Sequence, residues 1–243
     1  NYGGNSQGAI NAGTYTLMPS GLTSSNYALS FLAGTLTINP RVLTAITAGL
    51  TGSVSKTYDG TTTATLTSNN YVLSGFTGNE GATVTKTTGT YQDANAGSGK
   101  LVTVSLANSD FAATGNTNLS NYILPTSVSG SIGSIAQKSL TVALAGIGKT
   151  YDGTTAATLA SSDFTLSGFV GSEGAQVTQT SGSYANANAG TGKTVSATLA
   201  ASDFTAANGT LLTNYVLPTT ATNTVSAIAQ KSLTVALAGV SKT

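Results

Sequence analysis

The stretch that decides the fold is Lys56-Thr57-Tyr58-Asp59-Gly60-Thr61-Thr62, which recurs unchanged at residues 149–155. Aligning residues 56–146 with residues 149–239, a shift of 93 positions, gives 56 identical residues at 91 positions without a gap. Self-similarity at a fixed period indicates a repeat architecture, in which each copy is one structural module. We therefore call residues 56–146 the first repeat and residues 149–239 the second repeat.

Further landmarks follow in the same order in both repeats. Asn95-Ala96-Gly97 recurs at residues 188–190, Asn121-Tyr122-Ile123-Leu124-Pro125 recurs as Asn-Tyr-Val-Leu-Pro at residues 214–218, and residues 136–146 recur unchanged at residues 229–239. The N-terminal residues carry Asn11-Ala12-Gly13 and Asn26-Tyr27-Ala28-Leu29 in that order as well. We expect residues 1–40 to be the back half of a divergent module.

The residue types favour short strands and many turns. Leu140-Thr141-Val142-Ala143-Leu144-Ala145 places apolar residues at alternate positions, which is the period of a half-buried strand. Similar strand-like runs cover residues 42–50 and 233–238, and Tyr-Asp-Gly after such a run is a turn signal. The sequence predicts an all-β chain of small β-sandwich or β-grasp-like modules with a period of 93 residues, arranged as an extended rod.

Composition excludes several classes of function. Charged residues make up only 7% of the chain, with nine Lys+Arg against eight Asp+Glu, so no basic surface is available for nucleic acid. The absence of Cys excludes disulfides, and the absence of His removes the commonest general base. The sequence contains no run of 18 apolar residues, which is the length that a membrane span needs, so we expect no membrane insertion by this segment.

The ordered motif set resembles the YDG domain, on the strength of Lys-Thr-Tyr-Asp-Gly-Thr-Thr, Asn-Ala-Gly-x-Gly-Lys and Asn-Tyr-x-Leu-Pro in both repeats. Residues 1–40 resemble the end of an MBG domain. The expected domains are therefore an MBG-like half module at 1–40, YDG modules at 41–137 and 138–230, and the first strand of a next module at 231–243. Such modules occur in large bacterial adhesins, including filamentous-haemagglutinin-like exoproteins, and the resemblance implies no catalytic residues.

The repeated Tyr-Asp-Gly motif, formed by Tyr58, Asp59 and Gly60 and again by Tyr151, Asp152 and Gly153, is the candidate site. In the structural interpretation the tyrosine packs at an edge of the core, the aspartate accepts backbone hydrogen bonds and the glycine completes the turn. In the functional interpretation Tyr58 and Tyr151 stack on a sugar. We favour the structural one, because a motif present in every module more often maintains the fold.

Other chemistry has weaker support. Calcium would need six to eight oxygens, whereas each repeat supplies few carboxylates, Asp59, Glu80 and Asp110 with their second-repeat counterparts. A Lys–Asn isopeptide crosslink stays open, with Lys56, Lys100, Asn95, Asn121 and Glu80 as candidates that recur in the second repeat, and so does N-glycosylation at Asn118 or Asn208. The stretch at residues 186–194 is similar to a phosphate loop, but Ala187 stands where that loop needs glycine. We expect no cofactor.

The sequence thus predicts a non-enzymatic stalk region of a secreted bacterial adhesin or biofilm-matrix fibre, located on the cell surface. Its expected partners are other copies of the same or neighbouring modules. The alternative is a module that binds host glycan or matrix polysaccharide through exposed tyrosines.

Overall fold

The computed structural model describes residues 2–42, 50–239 and 241–242. These residues form short β-strands and six single-turn 3-10 helices, without an α-helix, which confirms the all-β prediction. None of the described helices is long and apolar enough to cross a membrane. Contacts divide the chain into two compact units, with residues 1–56, 62–93 and 98–134 in unit 1 and residues 57–61, 94–97 and 135–243 in unit 2.

The strands centred on unit 1 form a three-stranded sheet, a five-stranded sheet and two strand pairs. The sheets have the orders β1-β2-β3 and β5-β12-β9-β8-β6, and the pairs are β7 with β10 and β4 with β11. The strands are β1 (Tyr2–Gly3), β2 (Gly13–Pro19), β3 (Gly34–Ile38), β4 (Arg41–Val42), β5 (Val54–Thr57), β6 (Thr63–Thr65), β7 (Gly81–Val84), β8 (Thr88–Tyr91), β9 (Gly97–Ser105), β10 (Phe111–Thr114), β11 (Tyr122–Ile123) and β12 (Ser127–Ala136). The 3-10 helices are Ser68–Asn70, Asn108–Asp110 and Leu119–Asn121.

Unit 2 contains a five-stranded sheet in the order β15-β23-β20-β19-β16, with β14 paired to β17, β18 to β21 and β13 to β22. In the large sheet β15 runs parallel to its neighbour β23, and the other neighbouring strands are antiparallel. The strands are β13 (Lys138–Ser139), β14 (Thr141–Leu144), β15 (Gly148–Thr150), β16 (Ala156–Thr158), β17 (Phe164–Ser167), β18 (Gly174–Val177), β19 (Ser181–Tyr184), β20 (Gly190–Thr198), β21 (Phe204–Ala207), β22 (Tyr215–Val216) and β23 (Thr220–Ala229). The 3-10 helices are Ser161–Asp163, Ala201–Asp203 and Leu212–Asn214.

The alternation of buried and exposed residues along the strands shows where the core lies. In β20, Val195 and Ala197 are buried while their neighbours Ser196 and Thr198 are exposed, as the period of two requires. Tyr184 is buried among these residues, and its hydroxyl donates to the Ile147 carbonyl at 3.0 Å. The core of unit 2 consists of Leu144, Ala157, Leu159, Phe164, Val177, Tyr184, Val195, Ala197, Leu199, Phe204, Ala221 and Ile228.

Unit 1 repeats this arrangement. Tyr91 is the counterpart of Tyr184, and its buried hydroxyl donates to the Val54 carbonyl at 3.0 Å. A buried hydroxyl without a partner is costly, so the same bond in both units joins the strand that carries the tyrosine, β8 or β19, to the backbone at or just before the start of β5 or β15. Among the described residues, every fully buried side-chain nitrogen or oxygen has a hydrogen-bond partner.

One of the three strand-like runs differs from expectation, and another lies mostly outside the described residues. Residues 233–238 are exposed and carry no strand, although the identical residues 140–145 contain β14. Residues 138–144 pair with β22 and β17, which come from sequence that follows them, and no equivalent of these strands follows residue 239 within the 243 residues. Of the run 42–50, residues 43–49 lie outside the described part of the chain.

Gly182 in β19 tests the packing of the large sheet. A Cβ at this position would lie 3.0 Å from the Ser196 carbonyl oxygen and 3.0 Å from Leu159 Cδ1. We expect Gly182→Ala to lower the free energy of unfolding by about 1–3 kcal/mol, because backbone cannot yield as a flexible side chain can. Thermal and chemical denaturation measure the change.

Gly148→Ala is the matched control, because a Cβ on this strand glycine would meet nothing within 4 Å. Its effect should stay within about 0.5 kcal/mol. Equal stability of the two variants would contradict the packing described for β19.

Candidate functional site

The Asp-Gly turns have the same local geometry in both repeats. Asp59 Oδ1 accepts hydrogen bonds from the Thr61 backbone N–H at 2.8 Å and from the Thr61 hydroxyl at 2.9 Å. Gly60 has φ of 76°, in the left-handed region that side chains disfavour. The aspartate therefore holds the turn by bonding the backbone two residues ahead, as Asx turns do.

In the second turn a lysine joins this arrangement. Asp152 Oδ1 accepts from the Thr154 N–H at 2.9 Å, and Lys149 Nζ donates to the same oxygen at 2.9 Å. Lys149 also donates to the carbonyls of Thr154 and Ala156 at 2.8 and 2.9 Å. The Lys149 hydrogen bond, followed by those from Thr154, lowers the pKa of Asp152 to about 2.

The first-repeat tyrosine of the motif is buried within unit 2. Tyr58 is 5% exposed, and its hydroxyl donates to Glu173 Oε1 at 2.6 Å. Its ring meets the ring of Tyr215 edge to face, with centroids 5.4 Å apart. Such a pair adds to the stabilisation from burial alone. We call Tyr58, Glu173 and Tyr215 the tyrosine–glutamate cluster.

Glu173 links the two tyrosines of this cluster. The Tyr215 hydroxyl donates to Glu173 Oε2, accepts from the Val170 N–H at 3.0 Å, and is carried by a ring that contacts Phe169. Burial, followed by the hydrogen bond to Glu173, raises the pKa of Tyr215 to about 12. The Glu173 hydrogen bond is the first cause that raises the pKa of Tyr58. Both phenols therefore stay protonated, as donors, at neutral pH.

An amide contact lies beside the cluster in unit 2. Asn214, only 1% exposed, accepts from the Ala96 N–H at 2.8 Å and donates to Asn95 Oδ1 at 3.1 Å. The Asn-Ala-Gly turn of the first repeat is thus recognised by the asparagine of the Asn-Tyr-x-Leu-Pro motif in the second.

The same amide contact occurs in unit 1. Asn121 accepts from the Ala12 N–H and donates to Asn11 Oδ1 at 3.0 Å. The Tyr122 hydroxyl donates to Glu80, as Tyr215 does to Glu173. A cleft of about 380 Å³ adjoins Glu80 and Tyr122, in the position where Tyr58 lies against their counterparts in unit 2.

The second-repeat tyrosine has a different environment. Tyr151 is 41% exposed, although its backbone N–H donates to the Ala229 carbonyl at 2.8 Å, just as Tyr58 donates to Ala136 at 2.8 Å. It lines an open cleft of about 540 Å³ together with Asn188, Ala189, Gln230, Lys231 and Leu233. Of the two tyrosines considered for glycan contact, Tyr151 is the one whose ring is accessible.

The remaining carboxylates are dispersed. In the part of the chain that the structure describes, no three carboxylates lie close enough together to hold a metal ion. Asp110 and Asp203 accept from the N–H groups of Ala107 and Ala200, both at 2.8 Å. These aspartates end 3-10 helices and accept from the N–H of the residue that precedes the helix.

The lysines and asparagines considered for a crosslink are engaged elsewhere. Lys100 pairs with Asp93 at 2.6 Å, and Lys56 lies over the Tyr91 ring at 5.5 Å. Asn95 and Asn121 take part in the amide contacts described above. In the stretch similar to a phosphate loop, Lys193 donates to Asn186 Oδ1 at 2.7 Å.

Sequence reasoning singled out the Tyr-Asp-Gly motif and noted the recurring glutamate and Asn-Tyr-x-Leu-Pro motif, but it did not predict that these residues contact one another. Glu173, Asn214 and Tyr215 complete the cluster and the amide contact, and the first repeat has counterparts for all three. That repetition was the available signal. It could not reveal that Tyr58 would meet Glu173, which is 115 positions away.

The tyrosine pair provides a matched test of the cluster. We expect Tyr58→Phe to lower the free energy of unfolding by about 1–2 kcal/mol, because it removes a donor from a half-buried carboxylate. Tyr151→Phe, at an exposed ring, should change it by less than about 0.5 kcal/mol. Denaturant unfolding of both variants measures this, and equal effects would contradict the asymmetry.

The Asp152 turn gives a prediction about pH. Its pKa is lowered from 3.8 to about 2, so its contribution to stability is complete above about pH 4 and is lost as the pH falls towards 2. We expect Lys149→Met to move the pKa of Asp152 upward towards 3.8, as measured by NMR titration of the carboxyl carbon. Lys193→Met, which removes a lysine bonded to Asn186, should leave that pKa unchanged. An Asp152 pKa unaffected by Lys149→Met would refute the assigned cause.

Comparison with known proteins agrees with this duplicated geometry. No curated protein and no solved structure matches the chain. The family model described as YDG domain matches residues 39–130 and again residues 136–224, which together cover more than half of the sequence. The chain therefore belongs to the YDG domain family and carries two tandem copies of that domain.

Proposed function

We propose that this protein is a structural stalk region of a secreted bacterial adhesin or biofilm-matrix fibre. The observation that carries the proposal is the duplication itself. Two YDG domains that share 56 of 91 aligned residues have the same order of strands in their large sheets. Copying a whole folded module adds length and leaves its chemistry unchanged, which is the property of repeat proteins built for extension.

The use of the motif residues supports a mechanical role. Asp59 and Asp152 are engaged in turns, and Tyr58, Glu173 and Tyr215 are engaged in packing and hydrogen bonds. A module whose repeated polar residues are consumed by its own structure has few left for catalysis. We therefore propose that the region is not an enzyme.

Surface composition supports an extracellular location. Only 7% of residues are charged, and the exposed positions of strands such as β16 and β20 are mostly Thr, Ser and Ala. Hydroxyl groups hydrate such a surface without a strong field for charged partners. We propose an MBG-like module at residues 1–40, a location on the cell surface, and neighbouring modules as the main partners.

Glycan binding is the second candidate, and one observation favours it. The accessible ring of Tyr151 adjoins the exposed Asn188 in an open cleft of about 540 Å³. An aromatic face beside an amide is a combination that can stack on a sugar and hydrogen-bond its hydroxyl groups.

Antibodies raised against residues 1–243 test the location. We expect them to label intact cells of the producing organism, and brief protease treatment of intact cells to remove the signal. A cytoplasmic protein labelled in parallel controls for lysis. Signal that appears only after the cells are permeabilised would refute the surface stalk.

A glycan array separates the two candidates. For the stalk we expect no specific binding by the 243-residue protein. Binding that is specific for one glycan and lost in Tyr151→Ala would instead support the second candidate. Tyr27→Ala is the control, since Tyr27 is also exposed, at 76%, and lies in unit 1.

A further inference from the structure

Two identical stretches of sequence have opposite environments in this protein. Leu140 and Leu144 in residues 138–146 are 5% and 7% exposed, whereas their counterparts Leu233 and Leu237 in residues 231–239 are 90% and 97% exposed. Identical residues have identical intrinsic preferences, so the difference arises from what contacts them. A contiguous exposed apolar segment marks an interaction surface.

The exposed segment adjoins the accessible tyrosine. Tyr151, Asn188, Ala189, Gln230, Lys231 and Leu233 together line the cleft of about 540 Å³. We call these six residues the open face. Each has a counterpart 93 positions earlier, and the six counterparts are Tyr58, Asn95, Ala96, Gln137, Lys138 and Leu140.

Within unit 2 all six counterparts are contacted by one small set of second-repeat residues. Glu173 and Tyr215 contact Tyr58, and Asn214 bonds the Asn95 side chain and the Ala96 N–H. The segment 213–216 contacts the other three. Gln137 Nε2 donates to the Thr213 carbonyl at 3.0 Å, Lys138 pairs with Tyr215 in parallel register, and the Leu140 N–H donates to the Val216 carbonyl at 3.0 Å.

We propose that the open face is the docking surface for a further YDG domain, which supplies a glutamate and an Asn-Tyr-x-Leu-Pro segment. The incoming glutamate accepts from the Tyr151 hydroxyl, and the incoming asparagine bonds the Asn188 side chain and the Ala189 N–H. The incoming tyrosine and the residue after it pair with Lys231 and Ser232 in parallel register, as Tyr215 and Val216 of β22 pair with Lys138 and Ser139 of β13.

The amide part of this recognition occurs a second time in the molecule. In unit 1, Asn121 bonds Asn11 and Ala12 as Asn214 bonds Asn95 and Ala96 in unit 2. The contact between the Asn-Ala-Gly turn of one module and the asparagine of the next is therefore repeated in the molecule. The open face presents the Asn-Ala-Gly turn of such a contact, and among the described residues no asparagine occupies the place that Asn214 has against Asn95 and Ala96.

Nitration of tyrosine by tetranitromethane, read by mass spectrometry of the peptides, tests the proposal on the full chain. Two proteins are compared, the 243-residue chain and the same chain extended by a second copy of residues 151–243 after Thr243. The extension restores the 93-residue register, because Lys242-Thr243 is then followed by Tyr-Asp-Gly. We expect fast nitration of Tyr151 in the 243-residue chain, and a fall to the rate of Tyr58 in the extended chain.

Changes to the partner residues provide the control. Replacing both Glu173 and Asn214 by Ala in the 243-residue chain should expose Tyr58 to nitration. The same two changes in the appended copy should restore nitration of Tyr151 in the extended chain. Slow nitration of Tyr184 checks that unit 2 stays folded, because Tyr184 is buried in its core.

Three results would overturn the proposal. They are nitration of Tyr151 as slow as that of Tyr58 in the 243-residue chain, nitration of Tyr151 that stays fast in the extended chain, or an appended copy that does not fold. The experiment uses purified protein, so docking can be refuted while the surface location is confirmed, and the surface location can be refuted while docking is confirmed.

Discussion

A half-buried carboxylate must receive hydrogen bonds, and in unit 2 Glu173 receives them from two tyrosines that belong to different repeats. A carboxylate withdrawn from water without donors would be destabilising, so both phenols contribute to the stability of the half-buried Glu173. Tyr58 comes from the Tyr-Asp-Gly motif of the first repeat, and Tyr215 comes from the Asn-Tyr-Val-Leu-Pro motif of the second. The two most recognisable motifs of the sequence therefore meet at one carboxylate. Together with the bonds from Asn214 to Asn95 and Ala96, this explains why compact unit 2 includes residues 57–61 and 94–97.

This arrangement changes what the motif means. Asp59 and Gly60 shape a turn that depends only on local geometry, and the second repeat forms the same turn with Asp152 and Gly153. The tyrosine instead depends on a partner more than a hundred residues away, and its exposure differs between copies accordingly. One motif thus combines a local function, which each copy fulfils alone, with a long-range function that requires a neighbour.

Periodicity and turn chemistry sufficed to predict the local part of the structure. The alternation at residues 140–145 predicted a strand, and β14 lies there. The same alternation at residues 233–238 predicted a strand that is absent, because pattern describes which face a strand would bury and not whether a partner strand is present. The burial of Tyr58 was equally unpredictable from pattern, since no feature of the sequence around Tyr58 distinguishes it from the exposed Tyr151. The role of Glu173 was not predicted, because a single glutamate after Gly171-Ser172 carries no local signal and only its long-range contacts give it a role.

The open face connects the two candidate functions, because a docked module and a bound sugar would compete for Tyr151. The contacts around Tyr58 indicate which occupant the geometry suits better. A YDG domain brings a carboxylate, an amide and an apolar strand edge in fixed positions, matching the phenol, the Asn-Ala-Gly turn and Leu233 at once. A sugar offers hydroxyl groups that can hydrogen-bond the backbone, but it has no strand edge to pair with residues 231–232 and no surface to cover the apolar run at residues 233–237. Burial of Leu233, Val235 and Leu237, which are 90–97% exposed, would add a hydrophobic gain that a glycan cannot supply, so the balance of free energy favours a protein module.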